Sequence, residues 1–214
     1  MVDACRFGVP QYRKRSILIA ARKSLVAKHR LTNDEELLVP EADPDSEIVS
    51  VRSAIEHFPI IGAGDHDPKF PNHRTRSLSE LNLKRLSVAK PGESNAYMQN
   101  TRFGDLSLEC HRKANEKFKQ RCFGDVYTRM NPDRPSPTIT TKCHSISNGR
   151  FGHFDINQVR GISLREAAAL QSFPDDYVFY PVDQIGSVAK MIGNAVPPKL
   201  ARFFAEYLVS SAKP

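Results

Sequence analysis

A short apolar run near the N-terminus, residues 16–21 (SILIAA), most constrains what this chain can fold into. A nearly continuous run of apolar residues is typical of a strand that is buried on both faces inside an α/β sheet. Other layers of structure must then cover both faces of that strand. The sequence therefore predicts an α/β fold in which this strand belongs to a larger sheet.

The C-terminal segment predicts a helix with one apolar face. Pro197 and Pro198 suit its first turn. The apolar residues that follow are spaced at i, i+3, i+4, i+7 and i+8, namely Leu200, Phe203, Phe204, Tyr207 and Leu208. A stripe of this size must pack against something large.

Further helix signals lie in the middle of the chain. Ser163 and Glu166 match the capping-box pattern and predict a helix to roughly Gln171, which Pro174 stops. Residues 51–158 lack long helical periodicity, and we expect one helix after Ser77 among short strands and loops. This region predicts a small, irregular, strand-rich domain.

The charge of the chain is unevenly distributed. Its 31 Lys and Arg exceed its 24 Asp and Glu for a net charge of +7. Residues 31–50 hold seven acids and no Lys or Arg, together with Pro40 and Pro44, and this composition predicts an exposed acidic loop. The basic segments around this loop are either solvated surface or a nucleic-acid interface, and charge alone leaves both interpretations open.

The composition also bears on compartment and on metal binding. The chain has no apolar run long enough to span a membrane and no signal-peptide pattern, so we expect a cytoplasmic protein. Its cysteines form no CxxC pair, which favours reduced thiols over disulfides. Cys110, Cys122 and Cys143, with His111 and His144, could supply zinc ligands, but none has the short paired spacing of a zinc module, so we predict no metal site.

The segment just before the apolar run has a pattern that suits an anionic ligand. In an extended conformation Gln11, Arg13 and Arg15 project from one face, since side chains alternate along a strand. Two guanidinium groups and an amide fit phosphate oxygens or a base edge, although a plain surface cluster of arginines is the commoner explanation. Ligands bind outside the carboxyl ends of parallel strands, so a ligand here requires this strand to run antiparallel to its neighbours.

Three ordered segments resemble the eighth, ninth and tenth conserved blocks of DNA cytosine-5 methyltransferases. They are GVPQYRKR at 8–15, RGISLREAAALQSFPDDYVF at 160–179 and MIGNAVPPKLA at 191–201. Between them, PNHRTRSLSELNLKRL, CHRK, DVYTRMNPDRPSPTIT and SNGRFGHF look like the target-recognition region of the bacterial members. The resemblance covers nearly the whole chain. It implies an incomplete Rossmann-like methyltransferase sheet piece with an inserted target-recognition domain.

This resemblance also implies the domain limits. A strand segment of the methyltransferase domain would occupy residues 1–24. The recognition domain, with the acidic loop and the ninth block, would occupy residues 25–180. The chain would return to the methyltransferase domain at 181–214, which holds the tenth block and the C-terminal helix.

The resemblance assigns roles to the first and last blocks. Arg13 and Arg15 would hold the extruded cytosine or its flanking phosphate, and Gln11 would brace them. The tenth block would close the S-adenosylmethionine pocket through Gly193, Asn194, Ala195 and Val196. In the family role, the free N–H groups at the start of the following helix would suit a carboxylate. The simpler alternative is that this block only shapes the start of that helix.

The central part of the chain carries the predicted DNA contacts. Thr138 and Thr140, near the basic residues Arg129, Arg134, Lys142 and Arg150, would touch phosphates or bases. The alternative is the solvent face of an edge strand. In the ninth block, Arg165 and Glu166 are expected to organise packing and not chemistry.

Several parts of a complete enzyme do not occur in this sequence. Cytosine-5 methylation needs a cysteine nucleophile, a carboxylic acid and a glycine-rich cofactor loop, which the family carries in Pro-Cys-Gln, Glu-Asn-Val and GxG motifs. The chain has none of these motifs. We therefore expect a C-terminal, specificity-bearing part that is inactive without a complementing N-terminal part, binds double-stranded DNA and shares S-adenosylmethionine with that partner. The alternative is a non-catalytic DNA-binding remnant or stand-alone module.

Overall fold

Helices and irregular loops make up most of the structure, a computed structural model that describes residues 1–20, 42, 47–119 and 122–211. Six α-helices lie in these ranges: α1 (Val51–Ile55), α2 (Glu80–Val88), α3 (Glu109–Phe118), α4 (Leu164–Leu170), α5 (Ile185–Asn194) and α6 (Pro198–Ser211). Strands β1 (Val2–Asp3) and β2 (Lys14–Arg15) pair antiparallel. Short 3-10 helices occupy Ala4–Phe7, Asn95–Gln99 and Ile146–Asn148.

Helix α4 lies at the centre of the main hydrophobic core. All of its residues are buried, and it packs against both α1 and α5. Ala167, Ala168 and Ala169 are small, which lets these neighbouring helices approach closely. The predicted capping box is confirmed, since Ser163 Oγ accepts from the backbone N–H of Glu166 at 3.0 Å and Glu166 Oε2 accepts from that of Ser163 at 2.7 Å.

The prediction of a strand-rich middle region with one helix is wrong for the described part of residues 51–158, which holds the three helices α1, α2 and α3 and only isolated bridges between loops. Its backbone bonds are made mostly within short helices and turns. Gly152 pairs with Arg129 on one side and with Gly161 on the other. A Cβ at Gly152 would lie 2.7 Å from both Leu86 Cδ1 and the Thr128 carbonyl oxygen. Glycine is therefore required at this close approach.

The predicted helices after Ser77 and at Pro198 are confirmed. Helix α2 begins after Ser79, whose side chain accepts from the backbone N–H of Asn82. In α6, Leu200 and Phe204 are buried against Ala4 and Val9. The same stripe continues to Leu208, which is 43% exposed, so its far end is uncovered in the described structure.

The predicted strand at residues 16–21 is wrong for the part of it that the structure describes. Residues 16–20 have no regular structure, and Leu18 is 93% exposed. The reason is that the described residues provide no strand beside this run and no layer over Leu18. An antiparallel pairing lies just before this run, where Lys14 pairs with Asp3 and Arg15 with Val2. It forms a two-stranded ladder and does not test the prediction that the strand runs antiparallel to its neighbours in a larger sheet.

Other expectations fall outside the described residues. Most of the acidic stretch, 31–41 and 43–46, lies there, as does the predicted boundary between residues 24 and 25. Within the described residues, no helix is long and apolar enough to cross a membrane.

Candidate functional site

The side chain of Gln11 fixes the extended segment before β2 against the end of α4. Its Nε2 donates to the Leu170 carbonyl at 3.3 Å and to Gln171 Oε1 at 3.0 Å. Its Oε1 accepts from the backbone N–H of Ile139 at 2.7 Å. Because Gln11 is fully buried, its amide holds the extended segment, the end of α4 and the backbone of Ile139 together.

Arg13 is buried beside Gln11 and donates to backbone carbonyls from two distant parts of the chain. Nη1 donates to the Ile139 carbonyl at 2.9 Å, and Nη2 donates to the Gly193 carbonyl at 2.9 Å and to the Ala195 carbonyl at 3.3 Å. The last two carbonyls lie at the C-terminal end of α5, where helix carbonyls lack partners within the helix and the dipole favours a cation.

The burial of Arg13 sets its charge and its availability. Burial, together with the nearby charge of Arg15, lowers the pKa of Arg13 to about 10, so the guanidinium remains charged at neutral pH. Only 4% of the residue is exposed, and both terminal nitrogens are already donating. The side chain of Arg13 therefore joins parts of this chain and offers no free donor fork to a phosphate.

Arg15 differs from Arg13 although both arginines share one face of the extended segment. Its side chain is exposed, and its Nη1 donates to the carbonyl of its neighbour Lys14 at 2.6 Å. An exposed guanidinium with a single local backbone contact can turn toward an anionic ligand at small cost. Of the two arginines, Arg15 is thus the one whose guanidinium is exposed to solvent.

The tenth-block residues form the end of α5 and the turn that leads to α6. Gly193 is buried, and a Cβ there would overlap the backbone of Thr140 and Thr141, so this close approach requires glycine. Asn194 and Val196, by contrast, are exposed. The predicted turn before a helix is present, but Gly193 and Asn194 belong to the preceding helix.

We define residues 136–142 as the recognition segment, because they include both predicted DNA-contacting threonines. The Thr138 hydroxyl donates to the Tyr12 carbonyl at 2.7 Å, which ties this threonine to the extended segment. Thr140 and Lys142 are exposed, and so is Arg134 just before the segment. Of the predicted DNA contacts, these three side chains are the ones that face solvent.

Two of the basic residues near this segment serve the fold. Arg150 is 14% exposed at its side chain and pairs with Asp125 at 2.6 Å while donating to the Glu93 carbonyl at 2.7 Å. Arg129 was expected at the surface, but it is completely buried. It donates to the carbonyl of Leu86 near the end of α2 and to carbonyls of the loop at residues 153–158, which holds these two parts of the chain together.

Sequence reasoning did not single out two buried residues, Gln171 and Asn72, whose amides join distant segments of the chain. Gln171 accepts from Gln11, and its Nε2 donates to the Ile192 carbonyl in α5 at 2.7 Å. Asn72 accepts from the backbone N–H of Phe179 at 2.8 Å and donates to the Phe179 carbonyl at 3.0 Å. A signal for α5 itself was present in the apolar spacing of Ile185, Val188, Ala189 and Ile192.

Two of the cysteines, Cys143 and Cys5, are buried thiols whose protonated form is favoured. Cys143 is fully buried, and burial raises its pKa to about 12. Burial also raises the pKa of Cys5, with a further contribution from the charge of Asp3. Over the described ranges, no group of three His, Cys, Asp or Glu residues is placed to hold a metal ion.

Comparison with known proteins decides the family. The model of the C-5 cytosine-specific DNA methylases matches residues 1–210. The chain belongs to this family. Among curated members, it is 36% identical to the type II methylase M.HgiDII of Herpetosiphon aurantiacus over 202 residues, covering 94% of this chain and 51% of that protein.

Other similar proteins agree with this assignment. The type II methyltransferase M1.HphI of Haemophilus parahaemolyticus is 32% identical over 96% of this chain and 46% of its own length. A crystal structure named as a prophage-encoded DNA modification methyltransferase (E. coli) superimposes with a TM-score of 0.62 at 20% identity, over 98% of this chain and 58% of that one. It therefore supports a methyltransferase fold.

The share of each relative that is matched bears on what the chain contains. The chain spans about half the length of these curated methylases. That share agrees with the prediction that the sequence corresponds to the C-terminal part of a cytosine-5 methyltransferase.

Proposed function

We propose that this chain is the specificity-bearing C-terminal part of a DNA cytosine-5 methyltransferase. The observation that carries the proposal is the Arg13 network. One buried guanidinium joins the eighth block, the recognition segment at Ile139 and the tenth block at Gly193. Three segments far apart in the sequence thus meet at one place, next to the exposed Arg15, Thr140 and Asn194.

The DNA-contacting groups of the proposed enzyme are the exposed ones. Arg15 would donate to the extruded cytosine or to its flanking phosphate, which offsets part of the few kcal/mol that base extrusion costs. Arg134 and Lys142 would contact phosphates, and Thr140 would contact a phosphate or a base edge. Thr138 and Arg150, whose donors are engaged within the chain, would hold this surface in shape.

The tenth-block turn would contribute one wall of the cofactor pocket. Asn194 and Val196 are both exposed and two residues apart, and a polar amide near an apolar side chain suits a ligand with polar and apolar parts. S-adenosylmethionine supplies the methyl group in this family. Asn194 and the backbone of Ala195 and Val196 would orient it, and a complementing N-terminal part would supply the rest of the pocket.

The nucleophile would also come from the complementing part. Cys143 and Cys5 are buried with raised pKa values, while Cys110 and Cys122 lie at and beyond α3 in the recognition region. Residues 1–24 and 181–214 would then belong to the methyltransferase domain, and residues 25–180 to the recognition domain.

A complementation assay tests this function. The purified chain is mixed with labelled S-adenosylmethionine and duplex DNA, with and without an N-terminal fragment that carries the Pro-Cys-Gln and Glu-Asn-Val motifs. We expect methyl transfer to cytosine only when both parts are present. Transfer by the chain alone would contradict the division of labour. DNA binding without transfer under any complementation would instead indicate a stand-alone binding module.

A further inference from the structure

The recognition segment is fixed on one side by the extended segment that leads to Arg15. The Ser136 backbone N–H donates to the Pro10 carbonyl and the Tyr12 N–H donates to the Ser136 carbonyl, both at 2.9 Å. The hydroxyl of Thr138 adds a bond to the Tyr12 carbonyl at 2.7 Å. These bonds set the position of the recognition segment relative to Arg15.

The other side of the recognition segment packs directly against the tenth-block turn. The backbone of Gly193 touches that of Thr140 and Thr141 so closely that no Cβ fits between them. Because these two backbones are in contact, the recognition segment and the tenth-block turn cannot move far without each other, since close-packed interiors transmit strain. Thr140 is itself one of the exposed residues that face DNA in the proposed function.

Arg13 joins the two sides through one rigid group. Its Nη1 donates to the carbonyl of Ile139, the residue before Thr140, and its Nη2 donates to the carbonyl of Gly193, the residue before Asn194. Since the guanidinium is planar and its donors lie in a fixed fork, these carbonyls are held in a fixed relation. A shift of the recognition segment would therefore displace Arg13 and the Gly193 carbonyl, and with them the turn at 194–196.

We propose that Arg13 is a positioning residue that couples DNA contact at Thr140 and Lys142 to the geometry of the turn at 194–196. Specific DNA and the cofactor would then bind cooperatively, each strengthening the binding of the other. The inference rests on the proposed function, since it assigns DNA to one end of the path and the cofactor to the other. It assigns no ligand contact to Arg13 itself, which is 4% exposed.

Binding measurements on the complemented enzyme test the coupling. S-adenosylhomocysteine, which carries no methyl group to transfer, is titrated with and without a saturating duplex that contains the target site. The duplex is likewise titrated with and without S-adenosylhomocysteine. Coupling between sites is commonly about 5- to 150-fold and must be equal in the two directions. We call the factor by which one ligand lowers the Kd of the other the coupling ratio, and we expect a coupling ratio of at least about fivefold in each direction for the unmodified enzyme.

Two substitutions at Arg13 separate coupling from charge. Arg13→Met replaces the guanidinium with a side chain of similar length that has no hydrogen-bond donor. This variant is expected to bring the coupling ratio to within about twofold of 1. Arg13→Lys keeps the positive charge but cannot bridge both carbonyls with a fixed fork. It is expected to lose most of the coupling as well, and it carries the test if Arg13→Met does not fold.

A matched control removes loss of stability as an explanation. Leu86→Ala truncates a fully buried side chain of α2 outside this network, so it is expected to lower stability and keep the coupling ratio. A ratio near 1 in the unmodified enzyme, or an unchanged ratio in both Arg13 variants, would overturn the inference. Failure of the unmodified, complemented enzyme to methylate DNA would instead count against the proposed function, and the inference would fall with it.

Discussion

Glu166 and Arg160 form a fully buried, bidentate ion pair at the start of α4. Nη2 of Arg160 lies 2.7 Å from Oε1 of Glu166, and Nη1 lies 2.8 Å from Oε2. The same carboxylate accepts from the Ser163 backbone N–H and lies 3.6 Å from Nε2 of His153. The carboxylate of Glu166 thus caps α4 and neutralises Arg160, which is buried in the loop before that helix.

The first prediction concerns the stability of the fold in acid. Burial by itself would raise the pKa of Glu166, but the charge of Arg160 and the hydrogen bonds it donates lower that pKa to about 2. Burial lowers the pKa of His153 to about 4, against the opposing pull of Glu166. In both cases the unfolded chain binds its proton at a higher pH than the folded chain does, so stability falls as pH falls.

The pH windows follow from these values. Stability is expected to decline from about pH 6.5 to about pH 4 as His153 protonates in the unfolded chain only. Stability should decline further between about pH 4.5 and about pH 2, where Glu166 is protonated in the unfolded chain but still ionised in the folded chain. Urea unfolding at a series of pH values measures both windows. His153→Phe should reduce the slope above pH 4, while His111 and His144, whose pKa values burial also lowers, keep part of it. An undiminished slope in that variant would contradict the assignment to His153.

A second prediction concerns Asn72, which joins the PNHR segment to the end of the ninth block. Its backbone has φ of 63°, and its amide bonds to both the N–H and the carbonyl of Phe179. Asn72→Ala should cost roughly 3–4 kcal/mol in unfolding free energy, about 1 for each of the two lost hydrogen bonds and about 1–2 for the left-handed backbone.

The matched control is Asn72→Gly, which loses the same amide but accepts the positive φ. It should be more stable than Asn72→Ala by about 1 kcal/mol. Urea unfolding of the two variants measures the difference. If the alanine variant equalled or exceeded the glycine variant in stability, backbone strain would make no contribution at this position.

Features set by neighbouring residues could be predicted from the sequence. The capping box at Ser163, the start of α6 at Pro198 and the helix after Ser77 all depend on a few adjacent side chains, and all are present. Helix α5 was missed although its apolar spacing is regular, because Gly186 and Gly193 are poor helix formers.

Features set by distant partners could not be predicted. A strand buried on both faces depends on its neighbours, and the described chain leaves Leu18 uncovered. Arg13 and Arg15 look equivalent in the sequence, yet Arg13 is buried by carbonyls 126 and 180 residues away. Alternation along an extended segment indicates which side chains share a face, but it cannot tell which of them the rest of the fold will enclose.

A third prediction concerns Lys142, an exposed residue of the recognition segment. Lys142→Ala in the complemented enzyme should weaken binding to all duplexes alike and reduce the slope of log affinity against log salt by about 1, the signature of one lost phosphate contact. Fluorescence anisotropy at several salt concentrations measures the slope.

The control for this experiment is Lys84→Ala. Lys84 lies on α2, is partly exposed and already pairs with Glu80 at 2.6 Å. Its loss should leave the salt slope unchanged. An equal reduction in both variants would show that net charge, and not a contact at Lys142, sets the slope.

The last prediction separates support of the reacting base from sequence reading. Arg15 is exposed at the end of β2, and it would stabilise the extruded cytosine or its phosphate in every target site. Arg15→Ala should therefore lower turnover and leave the preferred sequence unchanged. Thr140 is exposed on the recognition segment, and Thr140→Ala should relax discrimination at a particular base pair by about 1–3 kcal/mol if its hydroxyl reads a base edge. Methylation rates across a randomised duplex library, measured for each variant of the complemented enzyme, decide between these roles. A changed site preference with an intact rate in Arg15→Ala would show that this arginine reads sequence, because a group that acts on the flipped base alone cannot distinguish flanking base pairs.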